Sequence, residues 1–164
     1  MIDPHSSFPL TKDTTFEIKS LSAEGLFQGL ASTYHTDREQ DTIMPGAFLS
    51  TLKKWRLQKK WPPLLWHHHL DQPIGFWHQI KETTEGLFVT GELLLSVSKA
   101  KEVYTLLKKG IVESLSIGFK PIVSKYDPLT QSRKIFQVDL FEISIVSLPA
   151  NPYARISDVK SLRA

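Results

Sequence analysis

The sequence predicts an α+β fold, a mostly antiparallel and roughly seven-stranded β-barrel flanked by helices. Three observations lead there. Short apolar runs rich in Val, Ile, Phe and Leu recur along the chain and are separated by turn residues, as strands are. Two helical patterns interrupt them without the regular alternation of a parallel sheet. The chain has 164 residues, 41% of them hydrophobic, which is enough for one core and too few for two comfortable ones.

Residues 1–13, with Pro4 and Pro9, read as a mobile lead-in. One domain is expected over 14–155 and a tail over 156–164. Thr14–Lys19 suits a first strand, Ser22–Gly25 a turn and Leu26–Tyr34 a second strand. Residues 35–46 make a polar loop. Phe48, Leu52 and Trp55 give one apolar stripe to a helix over Ala47–Lys60, ended by Pro62-Pro63. Leu64-Leu65-Trp66 runs into His67-His68-His69, and Asp71-Gln72-Pro73 reads as a turn. Ile74–Lys81 and Gly86–Leu95 form a hairpin. Ser98 suits the N-cap of a helix over Lys99–Lys109, with Val103, Tyr104, Leu106 and Leu107 inward and Gly110 after it. Glu113–Phe119, Lys134–Val138 and Asp139–Leu148 are strands. Pro149-Ala150-Asn151-Pro152 is a rigid turn, and residues 153–164 read as a tail with room for a short helix.

Composition excludes several kinds of chemistry. With no cysteine there is no disulfide, thiol nucleophile or thiolate metal site. No apolar run is long enough to cross a bilayer, and no basic-then-apolar signal pattern opens the chain. The net charge of +3 owes much to Lys53, Lys54, Arg56, Lys59 and Lys60. These read as the solvated side of a helix rather than a nucleic-acid patch.

Hydroxyls inside a core strand are either hydrogen-bonded away or presented to a site. Ser114 and Ser116 share one face of their strand while Leu115 and Ile117 take the other, and Gly118 leaves room beside Ser116. Ser116 is therefore a candidate nucleophile. Histidine is the side chain suited to take its proton near neutral pH, and His67, His68 and His69 supply three. If the strand continues through them, His68 faces opposite to its neighbours. Alternatively His67 and His69, with His35, His78 or Asp71, could ligate a metal and serve a metal-dependent hydrolase, although adjacent histidines are a weak zinc signal. Glu142 shares a strand face with Leu140, Ser144 and Val146, opposite Phe141, Ile143 and Ile145. A carboxylate there is costly unless paired, and an imidazole would pair it. A solvent-facing Glu on an edge strand is the competing reading, with Asp139 and Asp71 as other acids.

Four ordered blocks then resemble the HK97-type prohead (capsid maturation) serine proteases of tailed bacteriophages. They are Thr36–Asp41 with Met44–Phe48; Leu64–His68 with Gln72–Gly75; Leu115–Phe119; and Glu142–Val146 with Pro149–Pro152. The resemblance implies Ser116 as nucleophile, His68 as base and Glu142 as third member, on a fold like the herpesvirus assemblin proteases. His67 and His69 stay as alternative bases, because this chain has His69 where the family usually has Asp. It also implies no cofactor. The implied substrates are the scaffolding region of the major capsid protein and the chain itself, cut inside the procapsid in the host cytoplasm, with activity switched on by homo-oligomerisation. Oxyanion donors are expected at Ala150 and Asn151, since Pro149 and Pro152 fix that turn but lack N–H groups. A non-enzymatic capsid-assembly module on the same fold is the remaining alternative.

Overall fold

The computed structural model describes residues 24–159. Thr14–Lys19, the lead-in and the end of the tail lie outside the described residues. The elements in order are β1 (Leu26–Thr33), β2 (Asp41–Ile43), α1 (Leu49–Leu57), β3 (Leu64–Trp66), β4 (His69–Glu82), β5 (Gly86–Leu93), α2 (Ser98–Lys108), β6 (Ser114–Asp127), β7 (Ser132–Val146) and β8 (Ile156–Val159).

The eight strands form one sheet in the order β2-β7-β3-β4-β5-β1-β8, with β6 paired to β7. The long β7 carries β2 and β3 as parallel partners, at Arg133–Ile135 and Ile143–Ile145. All other ladders are antiparallel. Among the described residues the expected barrel is not closed. The sheet curls until the segment before β8 meets the start of β6, but the contact is one bridge, Ser114 to Arg155. Hydrogen bonds from Leu115 N–H to Ala154 O and from Ile156 N–H to Glu113 O flank it, both 2.9 Å. On its other side the same segment packs against β1, where Gly29 leaves room: a Cβ there would lie 2.7 Å from Ile156 Cα.

Phe27, Ile74, Trp77, Val89, Leu115, Ile143 and Ile145 form the core with Phe48 at the N-cap of α1, Leu52 within it, and Ala100, Val103 and Leu107 of α2. Several elements differ from expectation. The 35–46 loop contains β2, whose Asp41 is held by a bidentate ion pair to Arg133 at 2.7 and 2.8 Å. Asp71-Gln72-Pro73 is no turn; it lies within β4, which begins at His69. Val97, not Ser98, occupies the N-cap of α2, without a side-chain cap bond. Lys134–Val138 and Asp139–Leu148 are one strand. The expected tail supplies β8, which pairs with β1 in place of a helix. The lysines of α1 are exposed at Lys53 and Lys54. Among the described residues no helix is long and apolar enough to cross a membrane.

Candidate active site

The β3–β4 connection is a two-residue hairpin loop. Trp66 pairs with His69, leaving His67 and His68 at the tip. Their φ angles are 50° and 61°, the left-handed values that a type I′ turn requires at both positions. Side chains other than glycine hold such values at some cost and need support. His67 N–H donates to Ile145 O at 3.1 Å, and His68 N–H donates to Ser144 Oγ at 3.0 Å. Strand alternation therefore does not govern these histidines; the turn aims each ring separately.

Glu142 is placed by an irregularity that the sequence reading missed. Gly118 faces Glu142, but the next residue, Phe119, faces Leu140, so Phe141 is an extra residue on β7. Phe141 is thrown outward and does not share a face with Ile143 and Ile145. Beside the bulge, α1 engages the Leu140 backbone. Leu140 N–H donates to Thr51 Oγ1, and Trp55 Nε1 donates to Leu140 O, each at 2.9 Å. Glu142 itself turns inward and is 5% exposed.

These placements bring Ser116, His68 and Glu142 together. His68 Nε2 lies 3.0 Å from Ser116 Oγ, and His68 Nδ1 is hydrogen-bonded to Glu142 Oε1. The other carboxylate oxygen, Oε2, accepts from Ser144 Oγ–H at 2.6 Å. Since the carboxylate only accepts, Nδ1 carries the proton and Nε2 is left to accept from Ser116. The bond to Glu142 raises the His68 pKa above its ordinary value, partly opposed by burial. Gly118 leaves space for Glu142: a Cβ on it would fall 2.8 Å from Cδ and 2.9 Å from Cγ of that side chain. Ser144, which bonds to both the His68 backbone and Glu142, was assigned no role from sequence. Its only signal was a hydroxyl two residues beyond the acid on the same strand face.

The other candidates sit elsewhere. His67 Nε2 accepts from Ser147 N–H at 3.2 Å, and burial lowers its pKa. His69 and Asp71 are exposed on β4. Asp139 faces α1, 3.7 Å from Lys54 Nζ and 3.5 Å from Thr51 Oγ1. The alternative histidine metal cluster is not assembled among the described residues: His78 bonds to Glu92 at 3.2 Å and His35 stacks on Tyr153 at 4.1 Å. Among the described residues the carboxylates that approach one another are Asp37, Glu39 and Asp41.

One cleft runs from His68 and Ser116 past Ile117 and Phe119 to Ala150 and Asn151, with Thr33 and His35 on its β1 side. Asp37, Glu39 and Asp41 line it as well. A serine hydroxyl, an oriented imidazole and a turn bearing backbone N–H groups thus share one solvent-accessible groove, an arrangement chemically capable of acyl transfer.

Comparison with known proteins agrees. The family described as caudovirus prohead serine protease matches residues 13–164. The chain is 31% identical over 153 residues to the prohead protease of Enterobacteria phage HK97, covering 92% of this chain and 67% of that protein. It is 35% identical over 158 residues to the capsid polyprotein of Pseudomonas phage PAJU2, of which it spans 22%. The fold is similar to that of KSHV protease crystallised with a hexapeptide phosphonate inhibitor. The TM-score is 0.53 at 12% identity, over 81% of this chain and 64% of that one.

Proposed function

The chain belongs to the caudovirus prohead serine protease family, and from that premise we propose that Ser116, His68 and Glu142 are its catalytic triad. The observation that carries this reading is the pair of bonds on one imidazole, Nε2 to Ser116 Oγ at 3.0 Å and Nδ1 to Glu142. Ser116 Oγ attacks the scissile carbonyl carbon while its proton passes to His68 Nε2. The carbonyl electrons move onto oxygen, next to the backbone N–H groups of Ala150 and Asn151. The tetrahedral adduct collapses, the C–N bond breaks, and His68 returns the proton to the leaving amine. Water then repeats the sequence on the acyl-enzyme and releases the acid. Glu142 holds the Nδ1–H tautomer and balances the imidazolium charge.

The substrates are capsid proteins of the assembling procapsid in the host. The scaffolding region is the segment removed, and the chain itself is a second substrate. The capsid polyprotein relative, in which the matching stretch is a fifth of a longer protein, supports a link between protease and capsid in one polypeptide. Self-cleavage is expected outside β8, because a protease takes an extended free segment and Ile156–Val159 is paired to β1. Association in the procapsid raises activity, so the rate per molecule grows with protein concentration. Wild type and Ser116→Ala are compared by intact mass and by labelling with a fluorophosphonate. Wild type labels at Ser116 and processes substrate, and Ser116→Ala loses about four or more orders of magnitude in rate while staying folded. Native-rate processing by Ser116→Ala would remove the assignment. A folded wild type that never labels would favour a non-enzymatic module.

A further inference from the structure

We infer that Thr33, backed by His35, is a positioning residue for the turn that receives the oxyanion. The inference rests on the reading of Ser116 as nucleophile and of Ala150 and Asn151 as donors. Thr33 ends β1 and is buried, and His35 follows it into the next loop. Asn151 Nδ2 donates to Thr33 Oγ1 at 2.9 Å, and Thr33 Oγ1 lies 3.0 Å from His35 Nδ1. A hydroxyl has one proton. While accepting from the amide, the Thr33 hydroxyl has two acceptors in reach of that proton, His35 Nδ1 at 3.0 Å and Asn151 Oδ1 at 3.3 Å, so it is held between the histidine and the turn. The far side of that ring system is fixed by stacking on Tyr153, with planes 25° apart. Tyr153 N–H in turn donates to Asn151 Oδ1 at 3.0 Å. Both polar atoms of the Asn151 amide are thus committed to holding the turn.

The backbone of the turn is tied in the same direction. Arg38 N–H donates to Ala150 O at 2.9 Å. In a trans peptide the N–H points opposite to the C=O, so this bond directs the Asn151 N–H away from the Arg38 backbone. Among the described residues that N–H has no acceptor. An orphan donor lining the same cleft as Ser116 is what a developing oxyanion needs, provided that the turn does not rotate. Thr33, with His35 behind it in the following loop, supplies that restraint from the end of β1, an element that contributes no member of the proposed triad.

The test measures how fast a fluorophosphonate labels Ser116 in wild type, Thr33→Val and Thr33→Ser, with inactivation rate and probe affinity determined separately. Thr33→Val keeps shape and loses the hydroxyl. Its maximal labelling rate should fall about 10- to 100-fold, less than the roughly 10²- to 10³-fold for losing an oxyanion donor outright, with probe affinity unchanged. Thr33→Ser should restore the rate. Asn151→Ala, which keeps its own backbone N–H but loses the side-chain tie, should repeat the loss if Thr33→Val folds poorly. Thr33→Val labelling at the wild-type rate, or losing probe affinity alone, would overturn the inference. Wild type that is folded but not labelled at Ser116 would instead overturn the reading beneath it.

Discussion

The two ends of the β6–β7 ribbon are the same pair of strands in opposite circumstances. At the inner end, Ser114–Gly118 faces Glu142–Val146, and Leu115, Ile143 and Ile145 are fully buried. Here β7 has β3 on its other edge, and the first residues of β6 are bonded by the backbone of 154–156. At the outer end, Lys120–Asp127 makes ladder contacts to β7 alone among the described residues, and Ile122, Val123 and Tyr126 are exposed. Pro121 and two register shifts are tolerated there, as on edge strands. Ser116, Glu142 and Ser144 all come from the inner end. Sub-ångström placement is demanded where neighbours over-determine the backbone, and is absent where a single partner strand does the holding.

Substitutions at the inner end should therefore act on catalysis out of proportion to their size. The largest effect after loss of Ser116 is expected for Glu142→Gln, which keeps volume but lets the imidazole adopt the wrong tautomer. The turnover number should fall about 10²- to 10⁴-fold. Its pH profile sharpens the point. His68 must be neutral to act, and Glu142 raises its pKa above the ordinary 6.5. The acid limb of wild type therefore lies above pH 6.5, and removing the carboxylate should move it to lower pH. Stability runs the other way. A raised histidine pKa contributes stability that is full below about pH 6.5 and is lost as pH rises through the folded value. Rate–pH profiles beside thermal melts should show the two trends opposed in wild type and both weakened in the variant. A limb that does not move would place Glu142 outside the triad.

Gly118→Ala comes next. The added methyl would lie 2.8 Å from Glu142 Cδ with a β-strand backbone behind it, so the carboxylate must yield. A displacement of that order costs about 10- to 100-fold in turnover. Unchanged turnover would mean that Glu142 can shift freely without consequence.

This contrast also explains what the sequence reading reached. Spacing showed Ser116 on a strand face with Gly118, and the four family-like blocks singled out His68 and Glu142. What joins them is non-local. The left-handed turn at His67-His68 contains no glycine and reads locally as the end of a strand. The bulge at Phe141 depends on Thr51 and Trp55 reaching Leu140 from α1. β2 is three residues long and exists because Arg133 holds Asp41 beside β7. β8 depends on Gly29 admitting backbone contact from a segment well over a hundred residues away in sequence. The barrel expectation failed for a related reason: strand count does not say whether the last ladder closes.

Ser144→Ala separates support from chemistry. It removes the donor to Glu142 Oε2 and the acceptor of His68 N–H, both at a buried residue. A buried carboxylate oxygen left short of a donor costs about 1–3 kcal/mol of stability, readable by denaturant melts. Turnover should drop by less than for Gly118→Ala, because Glu142 Oε1 keeps His68.

The smallest effect is the control that could break the whole contrast. Tyr126 lies on the same strand as Ser116, is 61% exposed, and faces Arg133 across the outer ladder. Tyr126→Ser removes an aromatic from the ribbon without uncovering buried surface. Stability should change by no more than about 0.5 kcal/mol, as at other surface positions, with turnover unchanged. If it slowed Ser116 labelling as much as Gly118→Ala does, the outer ribbon would have to be communicating with the nucleophile along β6. The register shifts between Gly118 and Ser124 argue against that coupling. A ladder interrupted in three places transmits little strain, because each irregularity lets the backbone relax locally.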